Sequence, residues 1–188
     1  MSDGALPDQD ENGGERLEHR WAVVATCIIV LLTGMAVFAG VHEASLPQSR
    51  VETVDPRTLH LGGEFIESNL GSALQPDGSV VVRAIGQQYS FTPQCIVVPA
   101  DTPITFRVTS SDVIHGFLIT GTSINLMLVP GFISSIPARF STPGERHMPC
   151  HEFCGFGHEG MWGRVKVIDR AEFLRMAADT RRLSCVAQ

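Results

Sequence analysis

Residues 150–161, CHEFCGFGHEGM, place several kinds of soft metal ligand in one short loop. Cys150 and Cys154 stand four residues apart, and His158 and Met161 follow at further intervals of four and three residues. Thiolate, imidazole and thioether together favour copper, and the sulfur ligands bind Cu(I) well. The glycines of the loop allow tight backbone turns, so one loop can present several ligands at one point. The pattern therefore predicts a copper site.

Two cysteines offer more than a one-copper site needs, because each thiolate can bridge two metal ions. A copper site on a β-sandwich normally takes another histidine from elsewhere in the chain, and SSDVIHGFLI supplies His115 at the edge of a predicted strand. Two alternatives stay open for Cys150 and Cys154. They could form a structural disulfide, which an exported compartment favours, or a zinc site with His115 and His158.

Short strands must position these residues. The predicted strands are rich in Val, Ile and Phe, alternate in part, and are separated by Pro, Gly or Asn: SVVVRAIGQQYSF, ITFRVTS, IHGFLIT, INLMLV and GRVKVI. They predict an all-β domain over 79–168, a small antiparallel Greek-key sandwich or barrel. The ligand loop then connects its last two strands. In the tail, 169–188, Asp169 stands three residues before Glu172 as in a capping box, which predicts a short helix.

Residues 21–41 contain no charged side chain and, as a helix, would span about 32 Å, the thickness of a bilayer core. We therefore predict a transmembrane helix over 21–42, preceded by a cytoplasmic N-terminus over 1–20. A cleaved signal peptide is the alternative, but its apolar region is usually shorter and its start basic, whereas 1–20 carries six acids and two arginines. Both arginines lie close before the span and only Arg50 lies close after it, so the rest of the chain is expected outside the cytoplasm.

Residues 43–78 mix Pro, Gly and Ser without clear periodicity, which predicts a linker that lies over another part of the protein. From residue 44 onward the chain has 12 basic and 13 acidic side chains, so the exported part is nearly neutral and no nucleic-acid surface is expected. Cys95 and Cys185 can pair only if the tail returns to the sandwich, and free thiols are the other outcome.

The stretch from Ser110 to Ile168, with SDVIHGF, GTSIN, VPG, TPGE and CHEFCGFGHEGMWGRVKV, resembles subunit II of heme-copper terminal oxidases. The exported cupredoxin domain of that family holds the binuclear copper centre called CuA. VETVDPRTL, after the span, resembles the B family of these oxidases, in which subunit II has one transmembrane helix. The resemblance covers most of residues 14–168.

This resemblance implies the electron-accepting subunit of a cytochrome c oxidase. Cytochrome c or a small copper protein would supply electrons, and the hemes of subunit I would receive them, where oxygen is reduced to water and protons are pumped. A copper chaperone during assembly and membrane lipid are further implied partners. The implied location is a bacterial or archaeal-type inner membrane, with a single pass and the cupredoxin domain on the periplasmic, extracytoplasmic side.

The resemblance also implies roles for single residues. Cys150 and Cys154 would bridge two copper ions, and the remaining ligands would be the rings of His115 and His158 and, more weakly, Met161 and the backbone carbonyl of Glu152. Electrons would leave through His158, whose far ring nitrogen would face subunit I.

Three further roles follow from the resemblance alone. Tyr89 falls where members of the family carry an aromatic residue that accepts electrons from cytochrome c, many of them Trp, and the alternative is a strand residue packing the core. The carboxylate of Glu152 would contribute to a magnesium site shared with subunit I. Glu18 falls at the cytoplasmic mouth of the B-family proton channel, and the alternative is a solvated acid.

Other protein classes fit the sequence less well. A one-copper carrier needs only one cysteine, and a thioredoxin-like copper-delivery protein needs helices alternating with a parallel sheet. A nitrous oxide reductase shares the copper motif but requires a large catalytic domain. A quinol oxidase subunit II has lost the copper ligands that are all present here. The chain has no C-x-x-C-H motif, so no fused cytochrome c is expected.

Overall fold

The computed structural model describes residues 11–43, 51–179 and 182–185, and the chain divides into two compact units between residues 50 and 51. In the first unit, helix α1 extends over Glu11–Glu43. Its segment Gly14–Val41 is long and apolar enough to cross a membrane, by length and composition. α1 begins ten residues before the predicted span, since Glu, Arg and Leu in that stretch are good helix formers. The predicted cytoplasmic segment before residue 11 lies outside the described residues.

The second unit consists mainly of short strands. Their bounds are β1 Glu52–Thr53, β2 Gly71–Leu74, β3 Val80–Gln87, β4 Ser90–Thr92, β5 Cys95–Pro99, β6 Ile104–Ser110, β7 His115–Leu118, β8 Asn125–Leu128, β9 Phe132–Ala138, β10 Gly144–Pro149 and β11 Trp162–Ile168. One-turn 3₁₀ helices occur at Glu67–Asn69 and His158–Gly160, and helix α2 extends over Arg170–Asp179. The prediction of an all-β domain with one N-terminal apolar helix is confirmed.

The strands form two main sheets. The larger has the order β1-β9-β6-β3-β2 with β4 added beside β3, and the smaller has the order β10-β11-β5. β7 and β8 form a separate pair. Most neighbours are antiparallel, as predicted, but β3 pairs with β6 and β5 pairs with β11 in parallel. The parallel pairs arise because the chain crosses between the two sheets instead of returning along one sheet, which is the connectivity of a Greek key.

The main core lies within this second unit and is aromatic at its centre. The rings of Phe91 and Phe117 meet edge to face with centroids 5.8 Å apart, and Phe106 lies 6.0 Å from Phe117. All three side chains are almost fully buried. The same cluster includes Cys150, Cys154 and Met161, so the ligand loop is rooted in the core.

The region predicted as a linker packs against the strands over its described part, residues 51–78. Leu59, Phe65 and Leu70 are buried in a second apolar cluster with Ile85 of β3. Because three large apolar side chains spaced five or six residues apart match neither helix nor strand periodicity, the sequence pattern did not reveal their burial.

The described tail returns to the sandwich. Leu183 pairs with Ser72 of β2, Ser184 pairs with Ile96 of β5, and Cys185 is disulfide-bonded to Cys95, 90 residues away in the chain. The sequence left open whether Cys95 and Cys185 are paired or free, and in the structure they form a disulfide.

Candidate metal centre

The ligand loop, residues 150–161, connects the neighbouring antiparallel strands β10 and β11. Cys150 directly follows β10 and Met161 directly precedes β11, and the Cys150 N–H donates to the Met161 carbonyl at 3.0 Å. The two ends of the loop are thereby held beside each other where β10 ends and β11 begins. This is the setting that the sequence predicts, the connection between the last two strands.

Both loop cysteines are buried free thiols. Their sulfurs lie 3.9 Å apart, too far for a disulfide. Burial, followed by the nearby Cys150 thiol, raises the pKa of the Cys154 thiol to about 11. Two thiols held this close in a water-poor site would repel as thiolates, so a cation is needed to stabilise the deprotonated pair.

His115, the first residue of β7, meets the loop from another strand pair. It is fully buried, and its Nδ1 lies 3.9 Å from the Cys150 sulfur. Its Nε2 lies 2.8 Å from a carboxylate oxygen of Asp112. Since a carboxylate only accepts hydrogen bonds, Nε2 carries the proton and the lone pair of Nδ1 points toward the sulfur.

Asp112 is itself held in place by several donors. Burial alone would raise its pKa, but hydrogen bonds from His115 and from the backbone N–H groups of Gln88 and Val113 lower the pKa below its ordinary value. The carboxylate is therefore charged near neutral pH and orients the His115 ring. This residue lies in the SSDVIHGF motif, but the sequence pattern did not reveal its role; an acid three residues before a ligand histidine was the available signal.

The remaining sequence-predicted ligands gather around the same two sulfurs. His158 Nδ1 lies 3.6 Å and the Met161 sulfur 3.8 Å from the Cys154 sulfur. On the other side, the carbonyl oxygen of Glu152 lies 3.2 Å from the Cys150 sulfur, while the Glu152 side chain is exposed. Each cysteine thus has its own histidine and its own weaker donor.

This donor set fits a copper pair. A metal–thiolate bond is about 2.3 Å long, so two sulfurs 3.9 Å apart can both bond the same ion. The ligand atoms of His115, Cys150 and Cys154 all lie within 4.8 Å of one another. A thioether beside two thiolates and two imidazoles is softer than the donor sets typical of structural zinc. The His158 and Met161 positions make the set larger than one tetrahedral ion requires.

Gln88 and Tyr89, in the turn between β3 and β4, lie against the ligand loop. A Cβ placed on Gly157 would come within 2.6 Å of the Tyr89 ring, and one on Gly155 would come within 2.6 Å of its hydroxyl. Gly155 also has a φ of 137°, a backbone conformation that favours glycine. Tyr89 itself is 40% exposed and is not a core residue.

Glu18, the other residue singled out from the sequence, lies in α1 with an exposed side chain. It belongs to the first unit of the chain, whereas the metal ligands all belong to the second.

Comparison with known proteins gives one consistent family. The family described as cytochrome c oxidase subunit II, periplasmic domain, matches residues 90–168. Cytochrome c oxidase subunit 2 of one Thermus thermophilus strain is 30% identical over 152 residues, which are 80% of this chain and 90% of that protein. A second Thermus thermophilus protein of that name is 34% identical over 122 residues, 65% of this chain and 90% of its own length.

The fold is also similar to that of a solved oxidase structure. A chain in a cryo-EM structure of a heme-copper terminal oxidase dimer superposes with a TM-score of 0.51 and 24% identity. The match covers 80% of this chain and 99% of that chain.

Proposed function

This chain belongs to the cytochrome c oxidase subunit II family, and from that premise we propose that it takes electrons from cytochrome c or a small copper protein and passes them to the hemes of subunit I. As a member of the family it is a subunit of a terminal oxidase, an oxidoreductase. It is a membrane protein with an extracytoplasmic domain, and that domain carries a CuA-type copper site at His115, Cys150 and Cys154.

The proposed ligands divide into bridging and terminal groups. The bridging ligands are the thiolates of Cys150 and Cys154; the terminal ligands are His115, His158, Met161 and the carbonyl of Glu152. The pairing of distances supports this division, because His115 and Glu152 approach the Cys150 sulfur whereas His158 and Met161 approach the Cys154 sulfur.

Cys150 and Cys154 would hold the copper through their thiolates, and the bound copper would supply one-electron chemistry with little change in its bonds. The chain contributes rigidity to this centre. The His115 ring is held in place by a hydrogen bond with Asp112. The two ends of the ligand loop adjoin β10 and β11 and are hydrogen-bonded to each other. Ligands that do not move between redox states keep the reorganisation energy of electron transfer small. Electron transfer is then fast at a small driving force.

Exposed aromatic residues in and beside the ligand loop suit contacts with two partners. Tyr89 is 40% exposed beside Gly155 and Gly157, and Phe156 between those glycines is 98% exposed, which supports an electron-donor dock there. Phe153 is 76% exposed and its ring lies 5.7 Å from the ring of His158, which supports a subunit I contact with electron exit through His158. The reduction of oxygen and the pumping of protons would occur in subunit I.

Several finer assignments rest on the family resemblance. Among the described residues there is one candidate span, which supports the B-family type, in a bacterial or archaeal-type inner membrane with one pass through the lipid. Glu18 would lie at the cytoplasmic mouth of a proton channel, and the exposed Glu152 carboxylate would join a magnesium site with subunit I. A copper chaperone would load the buried thiols during assembly.

The observation that carries this proposal is the single cluster formed by two free thiols, two imidazoles and a thioether. The test is to load the purified full-length chain with copper under a thiol reductant and record copper per chain, the visible spectrum and the electron paramagnetic resonance signal. We expect a purple protein with two copper ions and a seven-line hyperfine pattern, the sign of one electron shared by two coppers. One copper with a four-line pattern would instead indicate a one-copper carrier.

A further inference from the structure

The turn between β3 and β4 is bonded to the ligand loop through a residue outside the proposed ligand set. The side-chain amide of Gln88 donates to the carbonyl oxygen of Cys154 at 2.6 Å. Cys154 is 6% exposed, whereas Gln88 lies at the surface. The amide therefore reaches from the exposed rim of the domain to the peptide of a buried bridging cysteine.

Gln88 also forms a hydrogen bond on the His115 side of the site. Its backbone N–H donates to a carboxylate oxygen of Asp112 at 2.7 Å, and the second oxygen of Asp112 lies 2.8 Å from His115 Nε2. One residue thus supports Cys154 through its side chain and His115 through its backbone. Any residue other than proline retains the backbone N–H that bonds Asp112, so the side-chain bond can be tested by substitution.

We infer that Gln88 is a positioning residue of the copper centre, whose amide fixes the Cys154 peptide and raises the reduction potential of the bound copper. This inference rests on the proposed copper-binding function. The positive end of the amide dipole points at a carbonyl beside an electron-rich thiolate. A donor in that position stabilises the reduced, more electron-rich centre more than the oxidised one.

An electrostatic role and a packing role of Gln88 predict different effects of substituting this residue. Glu has nearly the shape of Gln, but its carboxylate cannot donate a hydrogen bond and would face the carbonyl oxygen. Leu fills similar space with no charge and no donor. A packing role would spare Gln88→Glu, whereas the loss of a donor affects both variants and Gln88→Glu more strongly.

The test uses the full-length, copper-loaded chain with Gln88→Leu and Gln88→Glu. The matched control is Gln87→Leu, because Gln87 is the adjacent glutamine and its side chain makes no hydrogen bond to another described residue. The measurements are the midpoint potential, the copper hyperfine pattern and the rate of copper release to a chelator. Gln87→Leu is expected to match the wild type in all three.

We expect both Gln88 variants to bind two coppers with a lowered midpoint potential, in the order wild type, Gln88→Leu, Gln88→Glu. Copper release should accelerate by about tenfold in Gln88→Leu, the factor for one hydrogen bond lost at a buried acceptor. Wild-type potentials in both variants would overturn the inference, as would a change in Gln88→Leu alone. If the wild type itself lacks the shared-electron signal, the proposed function fails instead, so the two failures are distinguishable.

Discussion

Gly116, the residue after His115, lies where the ligand loop passes closest to β7. A Cβ at this position would lie 2.7 Å from the backbone nitrogen of Glu152 and 2.7 Å from the ring of His151. A long side chain could turn away from such a contact, but a backbone nitrogen cannot. An alanine here must therefore push the ligand loop away from His115, the ligand on the adjacent residue.

We expect Gly116→Ala to reduce copper retention, because moving the loop separates Cys150 from His115. A displacement of a few tenths of an ångström should accelerate copper release by about tenfold, corresponding to roughly 1.4 kcal/mol. The measurement is copper per chain and release to a chelator. Gly160→Ala is the control, since a Cβ there meets nothing within 4 Å in the same loop. Equal release from the two variants would contradict the argument.

Cys150 and Cys154 of the metal cluster could be predicted because their type and spacing within one loop already favour copper chemistry, and His115 joins them from another strand. Asp112 and Gln88 could not be predicted, because aspartate and glutamine are common surface residues. Their roles depend on a contact made across the fold: Gln88 meets Cys154 from 66 positions away in the chain. The burial of Gly116 likewise arises only where β7 packs against the ligand loop.

At the scale of elements, an ion cluster joins the segment before β2 to the larger sheet. We call Glu52, Glu64, Arg83 and Arg107 the Glu64 cluster. Glu64 accepts from Arg83 of β3 at 2.9 Å and from Arg107 of β6 at 2.5 Å, and Arg107 also bonds Glu52 of β1.

Glu64→Gln should destabilise the domain by about 2 kcal/mol, because it removes the charge from hydrogen bonds that Arg83 and Arg107 donate in a half-buried site. Burial alone would raise the pKa of Glu64, but these two arginines lower the pKa below its ordinary value of 4.5. The carboxylate therefore contributes its full stability above pH 4.5, and that contribution is lost as the pH falls through the lower, folded-state pKa.

Urea unfolding followed by circular dichroism at neutral and at acidic pH measures this difference. The wild type should approach the Glu64→Gln variant in stability as the pH falls below 4.5. Glu67→Gln is the control, an exposed acid in the same segment. A constant gap between wild type and Glu64→Gln from neutral to acidic pH would show that charge is not what the cluster contributes.

Strands and the apolar helix were predictable because their composition is strongly biased along the whole element. The packing of residues 51–78 was not, since it depends on a few apolar side chains and on charges whose partners lie in β3 and β6. The tail is a third case. Its helix, α2, follows from local capping and periodicity, but the pairing of Leu183 and Cys185 with β2 and β5 requires the assembled sandwich.

At the scale of the whole molecule, charge and apolar exposure bear on how the proposed electron donor would be recognised. From residue 44 onward the chain has 12 basic and 13 acidic side chains, so its long-range field is weak. In the ligand loop Phe156 is 98% exposed, and Trp162, directly after the loop, is 49% exposed. Aromatic residues, including Phe, are enriched at protein interfaces. The short-range apolar contact should therefore matter more than electrostatic steering.

We expect reduction of the copper-loaded chain by reduced cytochrome c to depend weakly on salt, changing by less than about threefold between low and physiological ionic strength. Phe156→Ala should lower the second-order rate constant by about tenfold at an unchanged midpoint potential, because the side chain would be buried only in the docked complex. Leu61→Ala is the matched control, since Leu61 is 83% exposed in a segment remote in sequence from the ligand loop. Stopped-flow absorbance separates the outcomes: a steep fall of the rate with salt, unaffected by Phe156→Ala, would mean that charged side chains rather than this apolar face recognise the donor.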